Sequence, residues 1–108
     1  MTCKVILTPR AARELEQAVR WWAEHRSAAQ AELWYNEFLQ KLVSLEHHPE
    51  RCPLARENGR FAYEIRQLAF GRGRRLTHRA LYTIRDDRVV ILTVRHAAQD
   101  DVSPDEIA

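Results

Sequence analysis

RALYTIRDDRVVILTVRH, residues 79–96, carries the strongest strand pattern in the chain. Two strands are predicted in it, Arg79 to Arg85 and Arg88 to His96, with Asp86-Asp87 as a two-residue hairpin turn that lacks the favoured glycine. Val89 to Leu92 is apolar on both faces, which is typical of a central strand with a neighbour on each side. We therefore expect this hairpin to form the middle of a β-sheet.

Two more strands are predicted outside the hairpin. Cys3 to Leu7 is short and rich in branched apolar residues, and Glu64 to Phe70 precedes a turn with two glycines at residues 71–75. The first strand is expected to pair beside the last one, because Val89 to Leu92 needs a neighbour on both sides. Residues 49–63 are expected to be irregular.

The segment between the first two strands predicts two helices. Thr8 and Pro9 fit the N-cap and the first position of a helix that ends near His25-Arg26. Ser27 opens the second helix, whose apolar stripe at steps of three and four continues until Pro49 stops it. The link between the two helices is so short that they are expected to form an antiparallel hairpin.

The order β-α-α-β-β-β predicts an α+β fold, with the two-helix hairpin packed on one face of a small, mainly antiparallel sheet. A length of 108 residues fits a single domain over residues 1–108, with a short acidic tail that starts at about residue 97. Trp21 is expected to be more exposed than the aromatic residues predicted for the core of the helices, which are Trp22, Trp34, Tyr35 and Phe38.

Charge is distributed unevenly along the chain. The formal net charge is only +2, but residues 60–96 carry nine arginines and three acids, whereas residues 97–108 carry four acids and no base. Such a basic block predicts an anionic partner, either nucleic acid or an acidic protein segment. The longest apolar run is far too short for a membrane span and the N-terminus has no signal-peptide pattern, so we expect a cytoplasmic protein without a membrane partner.

Neither a metal nor another cofactor is expected. Cys3 and Cys52 do not form a C-x-x-C pair, and we expect both to be reduced thiols. His47 and His48 are neighbours at a helix end, where their side chains do not converge on one ion.

Four segments, in this order, carry a resemblance to a known family. They are the opening strand with Thr8-Pro9 and a helix that contains Trp21-Trp22, then LVSLEHHP at residues 42–49, then EIRQL at residues 64–68, and finally YTIR at residues 82–85 followed by VVILTVRH at residues 89–96. On these segments, residues 3–100 resemble the RelE/ParE superfamily of type II toxin–antitoxin toxins. The resemblance implies the toxin of a plasmid-stabilisation type of module, neutralised by an antitoxin whose C-terminal segment wraps it.

The superfamily has two functional branches, and the resemblance allows both. RelE-like members are ribosome-dependent mRNA endoribonucleases, which need no metal, and ParE-like members poison DNA gyrase. The long helix hairpin favours the ParE-like branch. A third possibility is an inactive member that is retained as a binding partner of its antitoxin.

A ribonuclease would need specific groups from the basic block. His96 would act as acid or base, Arg66 and Arg95 would hold phosphate, and Tyr82 would stack a base or donate a proton. Two departures from the RelE-like pattern weaken this hypothesis: no aromatic residue follows His96 directly, and the chain has only two lysines.

Recognition of the target and of the antitoxin rests on another set of residues. An acidic antitoxin that folds on binding would be attracted by arginines and by an exposed aromatic side chain. The residues predicted for this role are Arg66, Arg72, Arg74, Arg75, Arg79, Arg85 and Trp21.

Overall fold

The computed structural model describes residues 3–72 and 75–107. Its helices and strands follow one another as β1 (Lys4–Leu7), α1 (Pro9–His25), α2 (Ala28–Val43), β2 (Arg66–Phe70), β3 (His78–Arg85) and β4 (Arg88–His96). This order confirms the predicted β-α-α-β-β-β fold. The second helix ends earlier than predicted, because residues 44–46 tighten into a 3-10 turn before Pro49.

The four strands form one sheet in the order β1-β4-β3-β2. β1 runs parallel to β4, whereas the β2–β3 and β3–β4 pairs are antiparallel. Val89 to Ile91 therefore have strands on both sides, which confirms the predicted central position and the pairing of the first strand beside the last.

The helices start at the predicted caps and cover one face of the sheet. Thr8 Oγ1 accepts a hydrogen bond from the Ala11 N–H (3.1 Å), and Ser27 Oγ accepts one from the Gln30 N–H (3.0 Å). The core under the hairpin includes the fully buried residues Trp34, Phe38, Leu42, Tyr82 and Ile91. Trp22 and Tyr35 were predicted to lie in this core but are only partly buried at its edge.

The opposite face of the sheet is also covered, which the sequence did not predict. Successive strand residues point to opposite faces, and Leu81 and Leu92 pack with Ile65, Ala55 and Val102 in a second apolar cluster. Val102 belongs to the acidic C-terminal tail and is fully buried. The sheet is thus enclosed between the helix hairpin and a layer built from residues 49–63 and the C-terminal tail.

Candidate functional site: a cationic and aromatic cavity

A cavity of about 930 Å³ lies between the C-terminal half of α1 and the sheet end at which β4 finishes. We call it the hairpin cavity. It combines three indole rings, three guanidinium groups and two imidazoles; these belong to Trp21, Trp22, Trp34, Arg26, Arg72, Arg75, His78 and His96. Polar and apolar residues complete its wall, among them Glu14, Leu76 and Thr77.

The charge of the hairpin cavity is positive. Arg72 lies 3.4 Å from a carboxylate oxygen of Glu37, whereas Arg26 and Arg75 have no acidic partner among residues 3–72 and 75–107. Glu14 is the acidic residue of the wall, and its Oε1 already accepts hydrogen bonds from Thr93 Oγ1 (2.6 Å) and the Val94 N–H (3.2 Å). Two guanidinium groups are therefore available to an anion.

Two histidines face each other at the end of the β3–β4 ladder. His78 pairs with His96 in register, and their ring centroids are 5.2 Å apart. Burial, and then the neighbouring His96, lower the pKa of His78 to about 4, so His78 is uncharged at neutral pH. His96 is exposed, and its Nδ1 accepts a hydrogen bond from the Ala98 N–H (3.1 Å). His78 was not predicted as a site residue, although its place opposite His96 follows from the hairpin register.

The indoles of the hairpin cavity differ in exposure. Trp21 is 47% exposed and stacks on His25 with ring centroids 4.6 Å apart, at an interplanar angle of 13°. The ring centroid of Trp22 lies 5.5 Å from that of Trp21, in an edge-on arrangement, and 6.3 Å from that of Trp34. Trp34 is fully buried, and its Nε1 has no hydrogen-bond partner in the described chain. The cavity wall thus changes from an exposed aromatic ring at the rim to a buried one at the floor.

The candidate nuclease residues do not meet on one open surface. Tyr82 is fully buried under the helices, and its hydroxyl donates to the Pro49 carbonyl (2.5 Å). Arg95 is 7% exposed and bonds Glu106 at 3.2 Å, and since it follows Val94 in the strand it points away from the helix face. Of the four candidates, only His96 is exposed at the hairpin cavity.

Arg66 also has a structural role. Its Nη1 donates to the carbonyls of Glu50 (3.0 Å) and Cys52 (2.7 Å), and its Nη2 lies 2.9 Å from a carboxylate oxygen of Glu64. These bonds attach the irregular segment after α2 to strand β2, so most of the hydrogen-bonding capacity of Arg66 is used inside the chain.

Arg79 requires a correction, because it was predicted as a surface contact and is 2% exposed. Its guanidinium donates two hydrogen bonds to the fully buried carboxylate of Glu57, at 2.8 and 2.5 Å. Burial by itself raises the pKa of Glu57, but hydrogen bonds from Arg79 and from the Val102 N–H outweigh it and lower that pKa to about 2. The pair is therefore ionised at neutral pH and ties the second layer to the sheet.

The remaining predicted contacts lie in different places. Arg85 is exposed and its guanidinium carbon lies 4.9 Å from the ring centre of Tyr63, outside the hairpin cavity. Arg74 lies outside the described residues. Arg72, Arg75 and Trp21 are thus the predicted residues that the structure brings together at the cavity. Arg26 joins them and was missed, because it stands outside the basic block of the sequence.

The acidic tail binds to arginines of its own chain. Asp101 forms ion pairs with Arg56 and Arg60, and Glu106 with Arg10 and Arg95. The bonds to Arg56, Arg60 and Arg95 neutralise positive charge on the face away from the helices, while Arg26 and Arg75 of the hairpin cavity keep theirs in the described chain.

Within residues 3–72 and 75–107, no three His, Cys, Asp or Glu side chains are grouped so that they could hold a metal ion. In the same residues, neither helix is long and apolar enough to cross a membrane.

The helix hairpin, the four-stranded sheet and their connection place the protein in the RelE/ParE class of toxins, as the sequence pattern suggested. Residues 5–101 match the family model described as "ParE toxin of type II toxin-antitoxin system, parDE". The chain therefore belongs to the ParE toxin family.

A solved structure has the same fold. It is described as "Chromosomal ParDE TA system from P. aeruginosa" and superimposes with a TM-score of 0.73 at 14% sequence identity, covering 88% of this chain and 96% of that one. No curated protein sequence matches this chain.

Proposed function

We propose that this ParE-family toxin inhibits DNA gyrase in the cytoplasm and is neutralised by a cognate antitoxin. The observation that carries the proposal is which arginines are ion-paired and which are free in the described chain. Arg79 and Arg95 are buried in intramolecular ion pairs, whereas Arg26 and Arg75 at the hairpin cavity have no acidic partner in the described part of the chain. Such a site supplies electrostatic attraction to a large anionic or acidic partner and does not depend on a complete set of catalytic groups.

The rim of the hairpin cavity suits an acidic, amphipathic antitoxin segment. Trp21 and Leu76 are 47% and 59% exposed, and they offer apolar area next to Arg26 and Arg75. A segment that folds onto this rim would gain apolar contacts and ion pairs together, and it would cover the same groups that a target needs. The similar solved structure is described as a ParDE toxin–antitoxin system, which supports a partner of this kind.

A ribosome-dependent mRNA endoribonuclease is the second candidate, and one observation favours it. His96 is exposed near Arg72 and Arg75, and an imidazole beside guanidinium groups could transfer protons and stabilise a phosphorane. Tyr82 and Arg95, which were predicted to complete such a site, are engaged elsewhere in the fold. The ribonuclease hypothesis therefore lacks two of its predicted groups at the cavity, and we favour gyrase inhibition.

Two assays on the purified protein separate the candidates. Loss of gyrase supercoiling with intact mRNA in translating ribosomes would support gyrase inhibition. New mRNA ends with unchanged supercoiling would replace the proposal with the ribonuclease. A folded protein that does neither, but binds its antitoxin, would be the inactive member.

The variant pair Arg26→Ala with Arg75→Ala connects the activity to the hairpin cavity. We expect this double variant to lose gyrase inhibition while keeping its fold, because both side chains are exposed and form no ion pair in the described chain. Arg13→Ala is the matched control, since Arg13 is an exposed arginine of α1 that does not line the cavity. Equal inhibition by both variants would refute a role of the cavity.

A further inference from the structure

We propose that the hairpin cavity binds an unpaired stretch of nucleic acid, with phosphates at its arginines and a base against its indoles. The proposal rests on the proposed function and deepens it, because gyrase works on DNA: the toxin would contact the DNA strand of the gyrase–DNA complex and not the enzyme alone.

The arginines supply the phosphate contacts. Arg26, Arg72 and Arg75 line one cavity, and a guanidinium group matches two phosphate oxygens at once. Arg72 is the only one of them with an acidic partner in the described chain, at 3.4 Å and half-exposed, so it can exchange Glu37 for a phosphate at little cost.

The indoles supply a stacking platform. Trp21 is held in place by His25 on a parallel plane and by the edge of Trp22, so its exposed ring is ordered before any ligand arrives. Aromatic rings beside a cationic groove are typical of proteins that bind single strands without sequence preference, because every base has a π-face. An acidic peptide could use the arginines and the apolar area of the rim, but a flat base also stacks on the aromatic rings.

The floor of the cavity is made of aromatic rings that are less exposed than Trp21. Trp34 is fully buried, forms part of the wall, and its Nε1–H lacks an acceptor in the described chain. Because this atom is closed to solvent, Trp34 supports the floor from within and does not bond a base directly. His78, uncharged at neutral pH, adds a neutral ring that can donate or accept a hydrogen bond there.

The concave shape selects unpaired strands. A base inside a duplex is already stacked on both sides and hydrogen-bonded at its edge, so it can enter the cavity only if it is first extruded. The cavity is therefore expected to prefer single strands to duplexes of the same sequence.

The test is fluorescence anisotropy with a labelled twelve-nucleotide oligothymidylate, its duplex with oligoadenylate, and a twelve-residue glutamate-rich peptide as separate probes. We expect the single strand to bind more tightly than the duplex. Three arginine–phosphate contacts predict that log K falls with log salt with a slope of about −2, since each contributes about −0.7. Arg26→Ala with Arg75→Ala should reduce the slope to about −0.7.

Trp21→Ala tests the stacking. Loss of one base–aromatic stack predicts binding that is about 5- to 150-fold weaker, with the salt slope unchanged. Arg13→Ala should bind like the unaltered protein, and circular dichroism of each variant checks that the fold is retained.

Three results would overturn the proposal: no binding of the single strand, equal binding by the Trp21 and Arg13 variants, or tight binding of the acidic peptide alone. Gyrase inhibition without oligonucleotide binding would remove the nucleic-acid site and leave the proposed function in place. Oligonucleotide binding without gyrase inhibition would keep the nucleic-acid site and contradict the proposed function.

Discussion

Replacing Glu57 by glutamine should destabilise the protein strongly. Glu57 is fully buried and its carboxylate receives two hydrogen bonds from Arg79 and a third, at 3.0 Å, from the Val102 N–H. Glutamine keeps the size of the side chain but leaves the guanidinium of Arg79 as a buried cation opposite a neutral amide. Removing one partner of a buried ion pair costs ~3–5 kcal/mol, a large share of a stability of ~5–15 kcal/mol.

Urea unfolding followed by tryptophan fluorescence measures this loss. Glu24→Gln is the control, because Glu24 is exposed on α1 and forms no ion pair in the described chain. Adding Arg79→Met to Glu57→Gln removes the uncompensated cation, so the double variant should regain part of the loss, with a coupling energy of at least ~1.5 kcal/mol. A loss below ~1 kcal/mol for Glu57→Gln, as for an exposed pair, would refute the burial of this ion pair.

Three other predictions follow from the same contacts. Because the pKa of His78 is lowered to about 4 in the folded protein, the unfolded chain takes up the proton first, so the melting temperature should fall as the pH drops from about 6.5 towards about 4; an equal fall in His78→Gln would contradict this. Tyr82→Phe should lose the bond to the Pro49 carbonyl and about 1 kcal/mol of stability in urea unfolding, yet keep growth inhibition, whereas a folded but harmless variant would favour the ribonuclease. Val102→Ala should cost about 1.5 kcal/mol in the same unfolding assay, and an unchanged midpoint would show that the C-terminal tail does not contribute to the core.

The parts of the fold that depend on neighbours in sequence could be predicted. The two helix starts follow from Thr8 and Ser27, whose side chains cap backbone N–H groups three residues later. The central strand follows from the apolar run at residues 89–92, which is typical of a strand with a neighbour on each side. These patterns are short-range, so a single sequence contains them in full.

The parts that depend on distant contacts could not be predicted in this way. Arg79 and Arg75 look alike in the sequence, and burial of the first depends on Glu57, which is 22 residues away. The acidic tail looks like a solvated end, but Val102 enters the core and its neighbours bind arginines. Arg26 joins the hairpin cavity from the end of α1, far from the basic block.

These distant contacts also determine where positive charge is available to a partner. The basic block predicted an anionic partner, but the tail neutralises arginines on the face away from the helices. In the described chain, Arg26 and Arg75 keep their charge together at the hairpin cavity, beside the exposed ring of Trp21, whereas Arg85 lies outside it, beside Tyr63. A partner attracted by charge would therefore be directed to the end of the hairpin.

Titration of purified gyrase with the toxin, read as the fraction of relaxed plasmid that becomes supercoiled, tests the gyrase proposal most directly. We predict that the unaltered protein and Arg13→Ala abolish supercoiling at similar concentrations, and that Arg26→Ala with Arg75→Ala leaves it intact. Full supercoiling in the presence of excess unaltered, folded toxin would contradict the proposal.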